Sequence, residues 1–308
     1  MEKLQHKLVV INKHKGPSSF NVVEAFRKAS RIRKVGHAGT LDPLARGVLL
    51  LCTGRATRAV EHFMNLEKTY EFDVHLGVET DTLDAEGTVV REVRCPQLDP
   101  EEIDRVAKSF LGEYQLSPPA FSALKRDGQR LYELARAGEK PAVGRRTVTI
   151  YSLDILDIHL PITRLRLNCS RGTYVRSLAK DFGEKLGLPS HVASLTRTRI
   201  GPFSLDNAFL GEKLFNGDIS GLEGIGLAKA LDFMPGIVLK DSAKKALLSG
   251  MLPGERDVVR TIGDVAGGKT LRILDTDGEL VAVGKRVEGK RKKLFWVDTY
   301  RLFTSGDN

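Results

Sequence analysis

Apolar and polar positions alternate in two rhythms up to about residue 230 and change character beyond it. Leu8-Val9-Val10-Ile11 is an unbroken apolar run that predicts a first strand. Val48 to Cys52, short, apolar and bounded by glycines, predicts a buried one. Tyr70, Phe72, Val74 and Leu76 alternate with Glu71, Asp73 and His75, the period of a half-buried strand. Further strand patterns cover 147–158 and 162–169. Helical spacing covers 21–30, 57–66 and about 174–186. In the last of these Val175, Leu178, Phe182 and Leu186 form the apolar stripe, and Thr173 is the expected N-cap. Asp99-Pro100-Glu101-Glu102 opens another helix with cap, proline and acidic first turn in favoured places. Hairpin-joined strands separated by single helices predict an α+β domain over 1–232, around a mixed, largely antiparallel sheet.

After residue 230 glycine-rich turns separate short β patterns, and Asp275-Thr276-Asp277-Gly278 reads as the turn of a hairpin. A small all-β domain is expected over 235–308. It carries 14 Lys+Arg against 10 Asp+Glu, a balance of +4. That charge gathers in Lys285, Arg286, Lys290, Arg291, Lys292 and Lys293, which is either a solvated surface or a phosphate contact.

Composition narrows the function. No apolar run approaches the roughly 18 residues needed to span a bilayer, and the N-terminal MEKLQHKLVVINK shows no secretory signal. Three widely spaced cysteines, Cys52, Cys95 and Cys169, fit neither a disulfide framework nor a zinc site and suggest a reducing, cytoplasmic location. A net charge of +9 favours a polyanionic partner, because neutralising phosphates releases counterions.

Two motifs compete for chemistry. Gly263 to Thr270 matches a phosphate-loop pattern, but such a loop must open a helix, whereas Lys269-Thr270 leads into the hairpin pattern. A nucleotide-binding reading is therefore rejected. The denser constellation is Val35-Gly36-His37-Ala38-Gly39-Thr40-Leu41-Asp42-Pro43-Leu44-Ala45-Arg46-Gly47. One reading makes Asp42-Pro43 the cap and first residue of a helix. The other presents the Asp42 carboxylate to a substrate on a glycine-flanked loop, with His37 nearby.

That loop resembles the G-H-x-G-T-L-D-P-x-A-x-G signature of the tRNA pseudouridine-55 synthases, the TruB family, and matches it at every specified position. Further resemblances follow in order: Lys13 with Gly16 and Ser18-Ser19; Lys68 to Tyr70 with Leu76-Gly77; Thr80-Asp81-Thr82-Leu83-Asp84 to Gly87; Cys169 to Leu178; and Leu195 to Phe203. They cover about residues 8 to 205. The C-terminal segment is more loosely similar to a PUA domain, through 249–254.

The resemblance implies the pseudouridine synthase fold and conversion of a T-loop uridine of tRNA, at position 55, to pseudouridine. The reaction breaks the N1–C1′ bond, turns the uracil and joins C5 to C1′, with no redox step and no cofactor or metal expected. It implies Asp42 as the catalytic carboxylate, a residue type ordinarily ionised at neutral pH. It implies Arg176 as the carboxylate's partner and Tyr70 as the group stacked on the flipped base. From residue types alone, Arg176 could equally be an exposed helix position and Tyr70 a core aromatic. His37, Lys13, Asp84, Tyr174, Leu195 and Arg58 are the implied binding or supporting residues. The stretch from Ser117 to Arg130 corresponds to an insertion, about 117–145, that clamps the T arm; the C-terminal domain is a further contact, to the acceptor stem. A monomer acting on tRNA without a membrane is expected. The rivals are a non-catalytic RNA-binding protein using the same basic surface and a guide-directed synthase with protein partners.

Overall fold

The structure, a computed structural model, describes residues 2–119, 121, 125–126, 129–130, 144–266, 268–288 and 295–303. The central sheet is built from β1 (Lys7–Lys13), β2 (Val35–His37), β3 (Arg46–Thr53), β4 (Lys68–Leu76), β7 (Gly112–Leu116), β8 (Arg146–His159), β9 (Ile162–Cys169) and β10 (Ser190–Ile200), with short edge strands added. A separate hairpin pairs β5 (Val78–Thr80) with β6 (Val89–Glu92). The path runs β1-β3-β10-β4-β9-β8-β7. Every pairing along it is antiparallel except β3 with β10, which is parallel.

Both faces of the sheet are covered at β1 and β3, which explains their unbroken apolar runs, whereas β4 and β9 alternate buried and wetter positions. Val9, Ile11, Leu49 and Leu51 face a first core that includes Phe26 of α1 (Ser19–Ser30) and Phe182 of α4 (Val175–Lys185). Leu8, Val10, Val48, Leu50 and Cys52 face a second core on the opposite side.

Several local expectations shift. α1 begins at Ser19, two residues before the expected start, because Ser18 caps it, accepting from the Asn21 amide at 3.1 Å. The helix expected over 57–66 is a 3-10 stretch, Gly54–Ala59, followed by the short α2, Val60–Met64. The N-cap of α4 is Tyr174, because the Thr173 hydroxyl donates to the Ser170 carbonyl at 3.0 Å instead. Asp99 caps α3 (Pro100–Lys108) through the Glu101 amide at 3.0 Å, as its sequence predicts.

The C-terminal sheet holds β11 (Gly236–Leu239), β12 (Val258–Ile262), β13 (Thr270–Leu274), β14 (Leu280–Glu288) and β15 (Phe295–Leu302), in the order β12-β11-β13-β14-β15. It is not purely β, since the helix Asp241–Leu248 packs on it through Ala243 and Leu247. Thr270 opens β13 and no helix follows Gly268-Lys269, so the phosphate-loop pattern is a strand entry; Lys269 pairs with Asp264 instead. Val238, Leu274, Leu280, Val283 and Phe303 complete the second core, under Ala56, Ala59 and Phe63. Polar contacts cross the same boundary. Arg272 Nη1 donates to the Ala228 carbonyl at 2.8 Å and Arg272 pairs with Asp232. Among the described residues no helix is long and apolar enough to cross a membrane.

Phe63 is fully buried where the two sheets share a core, with edge-on contacts to Phe203 and Phe233. Phe63→Ala should cost about 3–5 kcal/mol of stability in urea unfolding followed by circular dichroism.

Candidate active site

Register places four residues in one row across the sheet. Lys13 of β1 pairs with Gly47 of β3, Gly47 with Arg197 of β10, and Arg197 with Tyr70 of β4. The row lies on the face of the first core, and residues 38–45 cross above it. Gly47 is what allows the crossing. Its φ is +110°, and a Cβ there would stand 2.2 Å from the Arg197 carbonyl oxygen, so only glycine fits.

Two buried cations hold the crossing segment from below. Lys13 is 0% exposed and its ammonium donates to the carbonyls of His14 at 2.9 Å, Pro17 at 2.7 Å and Pro43 at 3.3 Å. The Gly16 amide also donates to Pro43, at 2.9 Å. Burial pushes the Lys13 ammonium down to about 8, partly opposed by the Asp42 carboxylate. Lys13 thus braces the Asp42 loop from beneath. Arg197, 2% exposed, donates to the carbonyls of Val48 at 2.8 Å, Gly39 at 3.0 Å and Thr40 at 3.2 Å. The resemblance over Leu195 to Phe203 includes Arg197 but implies no role for it. The available signal was a charged residue on the inward phase of a strand, in step with Leu195.

The same contacts exclude the helix-cap reading of Asp42-Pro43. The Asp42 carbonyl accepts from the Ala45 amide at 3.0 Å, closing a turn, and β3 begins at Arg46. The Asp42 side chain is 38% exposed, and its Oδ2 lies 3.0 Å from Nε of Arg176, whose own side chain is 7% exposed. Arg176 is therefore not on the wet face of α4. Its guanidinium also reaches Asp84 Oδ2 at 3.5 Å, the Thr82 carbonyl at 3.0 Å and the Phe121 carbonyl at 2.8 Å. Asp84 is fixed in turn by the Thr82 hydroxyl at 2.7 Å and the Glu86 amide at 3.1 Å, both on Oδ1.

These groups border a cleft of about 500 Å³ lined by Asp42, Tyr70, Tyr174, Arg176, Leu195 and Arg197, among others. Lys68, Arg146 and Arg171 make its rim basic. Tyr70 is 8% exposed; burial pushes its hydroxyl up, and the neighbouring Arg197 charge partly offsets this. It is at once a core aromatic and a cleft wall. Burial pushes the Lys68 ammonium down to about 8 as well. His37 lies at the end of β2, two residues before the cleft lining begins at Gly39. Burial, then the Arg197 charge, push its imidazole down. Arg58 is not brought to the cleft; its guanidinium donates to the Leu302 carbonyl of β15. The expected clamp lies largely outside the described residues, as do Lys290 to Lys293.

Lys13→Met should lower kcat by on the order of tenfold to a hundredfold at neutral pH, because a carbonyl-bound support of the Asp42 loop is lost. The pH dependence separates this from a general defect. The folded-state value of about 8 lies below the ordinary 10.5, so between these two pH values the unfolded chain binds more protons and this group makes stability rise with pH. Urea unfolding at a series of pH values should show wild type gaining on Lys13→Met across that window, and equal slopes would refute the assignment.

Residues 27–175 match the family described as TruB family pseudouridylate synthase (N terminal domain). A protein of Geobacter sulfurreducens named tRNA pseudouridine synthase B is 39% identical over 286 residues, 91% of this chain and 93% of its own length. One of Francisella tularensis with the same name is 43% identical over 208 residues, 67% of this chain and 69% of its own. Among solved structures, a Cbf5-Nop10-Gar1 complex superposes with a TM-score of 0.76 at 26% identity, over 99% of this chain and 87% of that one. An H/ACA RNP bound to a substrate RNA containing 2′-deoxyuridine gives 0.76 at 25%, over 98% and 86%. With a relative 39% identical over nearly its whole length and the family match over residues 27–175, the chain belongs to the TruB family of pseudouridylate synthases.

Proposed function

We propose that the protein converts the T-loop uridine of tRNA, at position 55, to pseudouridine, acting alone as a cytoplasmic monomer. The observation that carries this reading is the half-exposed Asp42 carboxylate held at 3.0 Å by the buried Arg176 in a basic-rimmed cleft. Relatives named tRNA pseudouridine synthase B supply the substrate class.

A uridine inside a folded loop must leave its stack to reach the cleft, which costs a few kcal/mol. Tyr70, Tyr174 and Leu195 offer the base aromatic and apolar surface in return. Asp42 supplies the anion for breaking N1–C1′ and forming C5–C1′. Arg176, anchored on Asp84 and two backbone carbonyls, keeps that anion from turning away. His37 supports the loop opened by flipping. Backbone phosphates of the T arm would meet Lys68, Arg146 and Arg171, and the PUA-like unit over 235–308 would extend the contact toward the acceptor stem.

The test is tritium release from an unmodified tRNA transcript labelled at uridine C5, with the purified protein alone and no guide RNA. Release should be confined to the T-loop uridine. Asp42→Asn should bind the tRNA and release tritium on the order of a thousandfold more slowly, about 4 kcal/mol of barrier. A folded, RNA-binding Asp42→Asn protein with unchanged turnover would remove Asp42 from the chemistry. A wild type that binds tRNA without release would instead indicate a binding protein or another RNA substrate.

A further inference from the structure

Arg197 is a buried cation without an anion: among the described residues no carboxylate lies within ion-pair distance of it, its guanidinium donates to three backbone carbonyls, and the Tyr70 hydroxyl is a further neutral side-chain partner. Removing a guanidinium from water for neutral acceptors is costly, and an apolar side chain of similar volume would serve packing at less cost. The placement of the acceptors explains its presence. Gly39 and Thr40 precede Asp42, Val48 follows it, and one planar fork binds both sides. The segment is thereby closed into a bracket whose two ends cannot separate. The backbone of Arg197 forms the other half of the device, because its carbonyl occupies the space that a Gly47 Cβ would need. Its cross-strand neighbour is Tyr70, and both line the cleft.

We propose that Arg197 is a positioning residue of the reaction: its guanidinium fixes the backbone on both sides of Asp42 and so sets where the carboxylate stands relative to Tyr70 and Arg176. This rests on the reading of Asp42 as the catalytic carboxylate. Lysine cannot replace the residue, because it lacks the flat fork that reaches Val48 through Nε while its two Nη atoms reach Gly39 and Thr40. The assignment concerns kcat, not RNA affinity, since a buried fork contributes nothing to phosphate neutralisation.

The experiment compares wild type, Arg197→Lys, Arg197→Gln, Gly47→Ala and Asp42→Asn by thermal unfolding, tRNA affinity, tritium release and amide hydrogen exchange. In folded Arg197→Lys and Arg197→Gln, kcat should fall about tenfold to a hundredfold while tRNA affinity stays within about threefold of wild type. Amide exchange should accelerate across residues 38–47 and stay unchanged in the centre of β3. Gly47→Ala, which displaces the Arg197 backbone without touching its charge, should reproduce the pattern. Folded Arg197 variants with wild-type kcat overturn the proposal. So does loss of tRNA affinity equal to the loss of kcat with no change in loop exchange. Failure of both variants to fold, with Asp42→Asn folded, overturns it too, by making Arg197 a fold determinant. Unchanged turnover in Asp42→Asn would instead strike the underlying reading of the site, a result distinguishable from all of these.

Discussion

The constraint on which the site depends is that two cations, Lys13 and Arg197, are taken out of water and satisfied by main-chain carbonyls. A buried charge without its acceptors costs far more than an ordinary hydrogen bond contributes, so the carbonyls cannot drift from the cations. Those carbonyls belong to residues 14, 17, 39, 40, 43 and 48, and they define the path of the chain on both sides of Asp42. An irregular segment, free to fluctuate on its own propensities, acquires the rigidity of the sheet beneath it. The cost is met by the packing of that sheet, whose β1 and β3 are buried on both faces.

The carboxylate itself is treated differently. Asp42 keeps solvent contact, while its partner Arg176 is buried and tied to Asp84, Thr82 and Phe121. The pair is thus anchored at its cationic end. Oδ2 of Asp42 is engaged, and Oδ1 has no hydrogen-bond partner among the described residues. A charge meant only for stability would be paired on both oxygens or fully exposed. Here one side is fixed and the other is left open, which under the function proposed above is the preorganisation that electrostatic catalysis requires.

Much of the scaffold was legible in the sequence because its determinants are local. Tyr70 to Leu76 alternates with period two and forms β4, and Asp99-Pro100 opens α3 through the cap its residues favour. Where local pattern alone misleads, one cause recurs, a tertiary partner that outweighs a local preference. Pro43 would have started a helix, but its carbonyl is held by Lys13 and Gly16. Arg176 occupies a helix position that the apolar stripe left to solvent, but the hairpin bearing Asp84 and the Asp42 loop cover it. Arg58 is a surface arginine by pattern, and it caps a strand end some 240 residues away in sequence. Long-range register, such as Lys13–Gly47–Arg197–Tyr70, has no signal in a single chain, although family resemblance supplied all four members as motif residues.

The second core gives the C-terminal sheet a part in this arrangement. Ala56, Ala59 and Phe63 lie between the central sheet and the strands that carry Leu280 and Val283, so the segment from Gly54 to Met64 has packing on both sides. Its far end forms part of the cleft. Glu61 and Met64 line it, and the Met64 and Leu66 carbonyls accept from the Lys68 ammonium at the rim. The buried Lys68 ammonium is therefore seated on a segment whose underside is the domain boundary. Arg55 and Arg58 donate to the carbonyls of Phe303 and Leu302 across that boundary. The C-terminal unit thus bears on the rim of the cleft through packed side chains, and any RNA contact of its own adds to that mechanical role.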